Sequence, residues 1–473
     1  MQTGSIRIRH RHTWPTRGLT ALLATTLVLA SCGVDDGVVD AAVGLPTSTS
    51  DSPSPGDTTD DTAELDIPLD TAPGRTETTV DTDTSGTAVI PTAVTSVPES
   101  AGAWGEVIVL IESFWDENFA AFAGSGTFTP LDRDRIVAVE DATTDLPDCD
   151  FAQIGTVDVE DNALAAACSE GQLIVWDDDD LFAELFQDFG TTGPTVVLAH
   201  EMGHAVQYQA GALRNSTLVV EQQADCLAGA YAAWATDRRI SPFDSAAALD
   251  SAVGATVSFR DHPGASAAAS DAHGSGFDRV RAFQDGFDRG VGYCGQYGDI
   301  GLPITEFPFQ DQEDADTGGN LDFEALIDLV NPYFDALFAT RHNEWPGMTI
   351  SEEQLDGWRN AHAQIGDNAT GTAMALMFAK RLQILEGAQS EGEGALLQQA
   401  CLAGAAFAPL IFEDAELTPL AGLSLSPGDM DEAVLTMIRI VETNQDRLDD
   451  GFLFEAVAAL RTGFTQGFDS CGI

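Results

Sequence analysis

Two histidines stand four residues apart in the stretch "VVLAHEMGHAVQYQAG", residues 196–211, of a chain that holds only eight. Thr191 and Thr192 offer caps for a helix that has Pro194 in its first turn and is stopped by Gly211. On that helix His200 and His204 lie one turn apart on the same face, so both imidazoles can reach one ion. Glu201 sits beside them, placed to touch a water on that ion. The chemistry this spacing suggests is two His as zinc ligands with Glu201 as general base. Catalytic zinc needs a third protein ligand and an open fourth position, so the pattern makes a demand on the rest of the chain.

That demand is met by "VVEQQADCLAGAYAAW", residues 219–234, a second helical pattern. Glu221 can supply the third ligand, and Asp225, one turn on, can accept the free ring N–H of a histidine ligand and fix its tautomer. The loop "ALRNST" is long enough to fold the second helix back across the first. The bland alternative is a pair of satisfied histidines on a buried helix. It leaves Glu201 as an ionisable group in an apolar helix with no partner to name.

Taken together, "HEMGHAVQ", "EQQADCLAGAYAAW" and the later "AHGSGFDRVRAFQDG" resemble the predicted neutral zinc metallopeptidases of bacteria, within the broader gluzincin group. The likeness covers roughly residues 104–295. It implies a zincin-like core, His200, His204 and Glu221 as ligands of Zn2+, Glu201 as catalytic acid and base, and Asp225 behind the ligands. His273 of "HGS" is left with two roles: stabilising the oxyanion of a tetrahedral intermediate, or capping a helix that begins near Ser275. "RIVAVE" (135–140) and "QLIVWD" (172–177) read as strands. In zincin-like folds a strand near the active-site helix lends its edge to an extended peptide. The run "DDDD" at 177–180 reads as a solvated helix start.

The elements around this centre come with an unusual address. Residues 1–32 carry arginines, then "LTALLATTLVLA", then "LASC" closing on Cys32, a layout that resembles a bacterial lipoprotein signal. It implies export and acylation of Cys32, with membrane contact only through that anchor. Residues 33–100, rich in Asp, Thr, Ser and Pro, read as a disordered tether. The formal charge of -55, from 76 acidic against 21 basic residues, argues against nucleic acid or anionic lipid surfaces as partners. Cys149, Cys168, Cys226, Cys294, Cys401 and Cys471 suggest three disulfides in an exported chain.

The C-terminal half repeats the first. "QQADCLAGA" (222–230) returns as "QQACLAGA" (398–405). "FDRVRAFQDGFDRGVGYC", ending at Cys294, aligns without gaps to "FEAVAALRTGFTQGFDSC", ending at Cys471, and Gln207 and Gly211 align with Gln383 and Gly387. At that offset His200 falls on Leu376, Glu201 on Met377, His204 on Lys380 and Glu221 on Leu397, while Asp225 falls in a gap. The repeat pairs Cys226 with Cys294 and Cys401 with Cys471, leaving Cys149 with Cys168.

The expected protein is α+β and predominantly helical, with a zincin-like domain at 101–300 and a degenerate helical copy at 301–473 that lacks the metal ligands. Its expected activity is zinc-dependent hydrolysis of peptide bonds at the outer cell surface, on a peptide or protein substrate. A non-catalytic binding lipoprotein and a metal-dependent amidase of cell-wall peptides are the rivals.

Overall fold

The structure is a computed structural model that describes residues 5–8, 99–139, 163–168, 173–212, 216–269, 272–302, 304–305, 309, 312–411 and 423–472. Residues 33–98 of the tether, Cys32, Cys149 and the side chain of Cys168 lie outside the described residues, and residues 99–100 open a helical turn, Glu99–Trp104. The first half contains α1 (Gly105–Ala123), α2 (Leu181–Phe189), α3 (Thr192–Ala210), α4 (Thr217–Arg238), α5 (Ala247–Ser258), α6 (Gly276–Arg289) and α7 (Val291–Cys294). The second contains α8 (Gln312–Thr317), α9 (Phe323–Ala339), α10 (Glu352–Gln364), α11 (Asp367–Leu385), α12 (Glu393–Ile411), α13 (Asp429–Thr443) and α14 (Phe452–Gln466). One small sheet packs beside α2 and α3, with strands β1 (Ser5–Ile8), β2 (Ile136–Val139), β3 (Ala163–Cys168) and β4 (Leu173–Asp177) in the order β1-β3-β4-β2. The fold is therefore predominantly helical, and among the described residues no helix is long and apolar enough to cross a membrane.

The two expected strands appear as β2 and β4, which pair in parallel, while β3 runs antiparallel to β4. β4 is buried along its whole length and paired on both sides, so "QLIVWD" has no edge to lend. The strand lying against α3 and next to an edge is β3, and its outer side is taken by Ser5–Ile8. "DDDD" is also less simple than a solvated start. Asp177 is buried and accepts the Asp180 N–H, and Asp178 accepts the indole N–H of both Trp104 and Trp176. Burial pushes the Asp177 carboxyl up to about 6.

α3 begins and ends where its sequence places it, with Gly211 left-handed at φ 68. Its start lacks the expected threonine cap: Thr191 sits in helical geometry and its hydroxyl makes no cap bond. Every residue from Thr192 to Gln207 is buried, because α1, α2, α4, α5 and β3 surround the helix. A helix without a polar face has to lie in the interior.

The halves repeat one another contact for contact. The disulfides Cys226–Cys294 and Cys401–Cys471 tie α4 to α7 and α12 to the turn after α14. A Cβ on Gly229 would overlap the Phe283 carbonyl, and one on Gly404 the Leu460 carbonyl. Gly286 meets the Cys226 carbonyl as Gly463 meets that of Cys401, so glycine lets each helix pair close to backbone contact. Gln207 donates to the Val220 carbonyl and to Gln223, and Gln383 to the Ala395 carbonyl and to Gln398. Gln223 and Gln398 in turn donate to the carbonyls of Cys294 and Cys471.

These pairs correct the alignment. They match Gln223 to Gln398, which moves Glu221 onto Leu396 and Asp225 onto Ala400 and puts the one-residue gap in the loop before α4. A gap inside a continuous helix would turn the following face by about 100°, and the matching contacts on both sides of Asp225 show no such turn. Where α6 crosses α14, the rings Phe277–Phe464 lie 5.3 Å apart and Phe287–Phe454 5.1 Å apart. Since Phe277 corresponds to Phe454 and Phe287 to Phe464, these two contacts are mates about a local two-fold axis. One continuous buried cluster runs through both halves.

Candidate metal centre

At Gly203 α3 and α4 come close, because a Cβ there would sit 3.3 Å from the Ala224 Cα. That approach brings the three expected ligands to one point. The Nε2 atoms of His200 and His204 are 3.1 Å apart, and Glu221 Oε2 is 3.2 Å from the first and 3.3 Å from the second. His200, His204 and Glu221 form one of the groups whose geometry suits a metal ion.

The outer nitrogens fix the ring states. His200 Nδ1 lies 2.8 Å from Asp225 Oδ1, and His204 Nδ1 lies 2.8 Å from Gln207 Oε1. The Gln207 amide is itself oriented by donating its NH2 to Val220 and Gln223. Both partners are acceptors, so each Nδ1 carries a proton, and both Nε2 atoms face the Glu221 oxygen. Two imidazole nitrogens and a carboxylate oxygen at this spacing can share a proton or hold a cation. Asp225 is the expected residue behind His200, and Arg279 holds it through bonds of 2.9 and 2.8 Å.

The charges couple the same groups. Burial disfavours protonated His200, yet Asp225, Glu221 and Glu201 outweigh it and lift the ring to about 10. His204 is raised against burial chiefly by Glu221. Despite burial, the histidines hold the Glu221 carboxyl well below the ordinary range, and Arg279 and His200 hold Asp225 low. Glu201 goes the other way: burial raises its pKa, and His200 and His204 offset this only in part. Its Oε2 is buried without a hydrogen-bond partner.

His273 is 2% exposed, and its Nε2 lies 4.0 Å from Glu221 Oε2. Its capping role is not found, for the cap belongs to Ser275, whose hydroxyl accepts the Asp278 N–H. Asp261 Oδ2 receives the backbone N–H groups of His273 and Gly274, both at 2.7 Å, and its other oxygen lies 3.5 Å from the ring. Neither ring nitrogen of His273 has a hydrogen-bond partner.

Gln207, Asp261 and Arg279 were missed as site residues. Gln207 had a signal, one turn after His204 on the same face. Arg279 and Asp261 had none, since Arg279 reaches Asp225 across 54 residues and Asp261 meets His273 from the far side of the α5–α6 connection. In the second half the matching positions hold Leu376, Met377 and Lys380, the first two buried and the last paired with Glu391. This chain matches no family model, no curated protein and no solved structure.

Proposed function

We propose that the chain is a zinc-dependent metallopeptidase. The observation that carries this reading is the convergence of two imidazole Nε2 atoms and one carboxylate oxygen beside a buried, half-unpartnered glutamate. The donor set fits: four-coordinate zinc takes His and Glu ligands at about 2.0–2.1 Å, which puts tetrahedral neighbours roughly 3.3 Å from each other. His200, His204 and Glu221 would hold the ion, which supplies Lewis-acid polarisation and a lowered pKa for water. Asp225 and Gln207 keep the two rings in the ligating tautomer. Glu201, whose carboxyl burial pushes upward, would take the proton of the attacking water and return it to the leaving amine. His273, held through its backbone by Asp261, is placed to donate to the oxygen that gains charge.

The zincin-like resemblance supports an extended peptide as substrate, and the outer edge of β3 against α3 suits one. Export with removal of residues 1–32 would clear Ser5–Ile8 from that edge. Two disulfides fit an oxidising exterior, and the excess of acidic residues fits a protein kept off polyanions. One observation favours a structural site on a binding lipoprotein instead: His200, Glu201, His204, Glu221 and His273 are all buried. Glu201→Gln separates the two. A hydrolase keeps zinc and loses roughly 10²- to 10⁴-fold in cleavage of unfolded protein substrates, with wild-type cleavage abolished by chelator. Full activity in that variant refutes the assignment.

A further inference from the structure

The second half carries no ligand of the metal centre, yet it reaches the elements that build it. α6 begins directly after His273–Ser275 and carries Arg279, so its position sets both the His273 ring and the Arg279–Asp225–His200 chain. The first amides of a helix have no partner within it. At α6 the Asp278 N–H goes to Ser275 of the same half, but the Phe277 N–H goes to Asp431 Oδ1 at 2.8 Å, from α13 of the other half. Asp431 is buried, and its second oxygen lies 3.7 Å from Arg260 Nε. Gly276 lies tightly beneath this pair, for a Cβ there would meet Arg260 Cδ at 3.2 Å and Asp431 Cγ at 3.4 Å.

The arrangement is returned across the local two-fold axis. Asp250 of α5 accepts the Gly451 N–H at 2.8 Å and the Phe454 N–H at 2.9 Å, at the start of α14. Phe454 is the counterpart of Phe277, so each half supplies the carboxylate that holds the other half's helix. Both are carboxylates accepting backbone N–H groups at a helix start, and the helices they hold differ in their cargo. α14 carries no site residue, whereas α6 is anchored within a few residues of the metal centre.

We propose that Asp431 is a positioning residue for the metal centre: the second half supplies, across the interface, the carboxylate that fixes the start of α6 and with it His273 and Arg279. The inference rests on the metallopeptidase reading. It gives the ligand-free half a function, as the wall against which the active half is registered. It also explains how that half can lack every metal residue while still being required, since a backbone cap needs only an acceptor at the right place.

Asp250 provides the internal control. In the full chain, Asp431→Ala removes the buried acceptor of the Phe277 N–H and Asp250→Ala the half-buried acceptor of the Gly451 and Phe454 N–H groups, and both should lower the melting temperature. With an unfolded protein substrate, Asp431→Ala should reduce kcat about 10- to 100-fold, as misplacement of catalytic groups does, with KM little changed. Asp250→Ala should keep wild-type kcat. Asp431→Asn, whose amide oxygen can still accept the Phe277 N–H, should recover most of kcat. Amide hydrogen exchange should quicken over residues 272–280 only in Asp431→Ala and over 451–458 only in Asp250→Ala. Equal kcat in the two alanine variants, or an Asn variant as impaired as the Ala one, overturns the proposal. A wild-type chain that shows the exchange pattern but hydrolyses nothing refutes the metallopeptidase reading instead. Active wild type with unaltered exchange in Asp431→Ala refutes the positioning alone.

Discussion

Replacing Asp225 with Asn tests the buried link between the metal centre and the helix that supports it. Asp225 is 4% exposed and accepts three hydrogen bonds, one from His200 and two from Arg279, which is itself 2% exposed. An Asn side chain offers one acceptor oxygen and turns its NH2 group toward donors, leaving the guanidinium without its paired carboxylate. Breaking a buried pair in this way costs about 3–5 kcal/mol. At roughly 2–4 °C per kcal/mol, the metal-free protein should melt about 6–20 °C lower. Zinc affinity should fall about 10- to 100-fold, because His200 loses the acceptor that orients it and raises its basicity. Thermal unfolding of the metal-free chain and competition with a chromophoric chelator read the two effects separately.

A second substitution divides the causes. In Asp225→Asn with Arg279→Met, the stranded cation is replaced by an apolar side chain, so much of the lost stability should return while zinc affinity stays low. The non-additivity of the cycle measures the pair. If Asp225→Asn binds zinc as tightly as wild type, Asp225 does not orient a ligand. If the double variant is no more stable than the single one, the stranded Arg279 is not the source of the cost.

The part of the site that could be read from the sequence was local. His200, Glu201 and His204 sit on one helix, and Glu221 and Asp225 on the next, so helical periodicity places each set before any tertiary fold is known. Arg279 reaches Asp225 across 54 residues of chain, and Asp261 meets the His273 backbone only when α5 and α6 fold against each other. No local pattern encodes such contacts. Cysteines and glycines made the repeat legible because each fills a position with few substitutes: a paired sulfur, or a backbone approach with no room for Cβ. The alignment misplaced its gap because "QQA" reads equally well in two registers, and only the hydrogen bonds of Gln223 and Gln398 choose between them. The four-aspartate run misled for a similar reason: Asp178 serves the indoles of Trp104 and Trp176.

Two further outcomes are expected from the packing and the charges. Gly286→Ala and Gly463→Ala should each destabilise by about 1–3 kcal/mol or more, and by similar amounts, because each new Cβ overlaps the corresponding cysteine carbonyl. An unchanged unfolding midpoint in either would contradict the close helix approach. Asp367, Asp429 and Glu432 form a buried carboxylate cluster in the second half, and burial, reinforced at Asp429 and Glu432 by repulsion from their neighbours, raises all three pKa values. A group raised in the folded state favours folding below its unfolded pKa, and that contribution is lost as pH rises through the folded value. Asp429→Asn should therefore gain stability relative to wild type as pH climbs from the ordinary carboxylate range to their elevated native values. A difference in melting temperature that does not vary with pH would count against it.

The two halves also bear on why the metal residues are present at all. Both keep the glycine approaches, the glutamine bonds, the disulfide and the exchanged carboxylate caps, so these contacts suffice to assemble the helices. In the second half the His200 and Glu201 positions are taken by Leu376 and Met377, buried at 4% each. The same place in the same framework is thus filled by apolar side chains that need no partner. In the first half it holds a carboxylate whose Oε2 is buried and unpartnered, an arrangement that costs about 1–3 kcal/mol or more for such a group. The second half shows that this framework assembles without those groups. Their burial in one half alone supports the site proposed where His200, His204 and Glu221 meet.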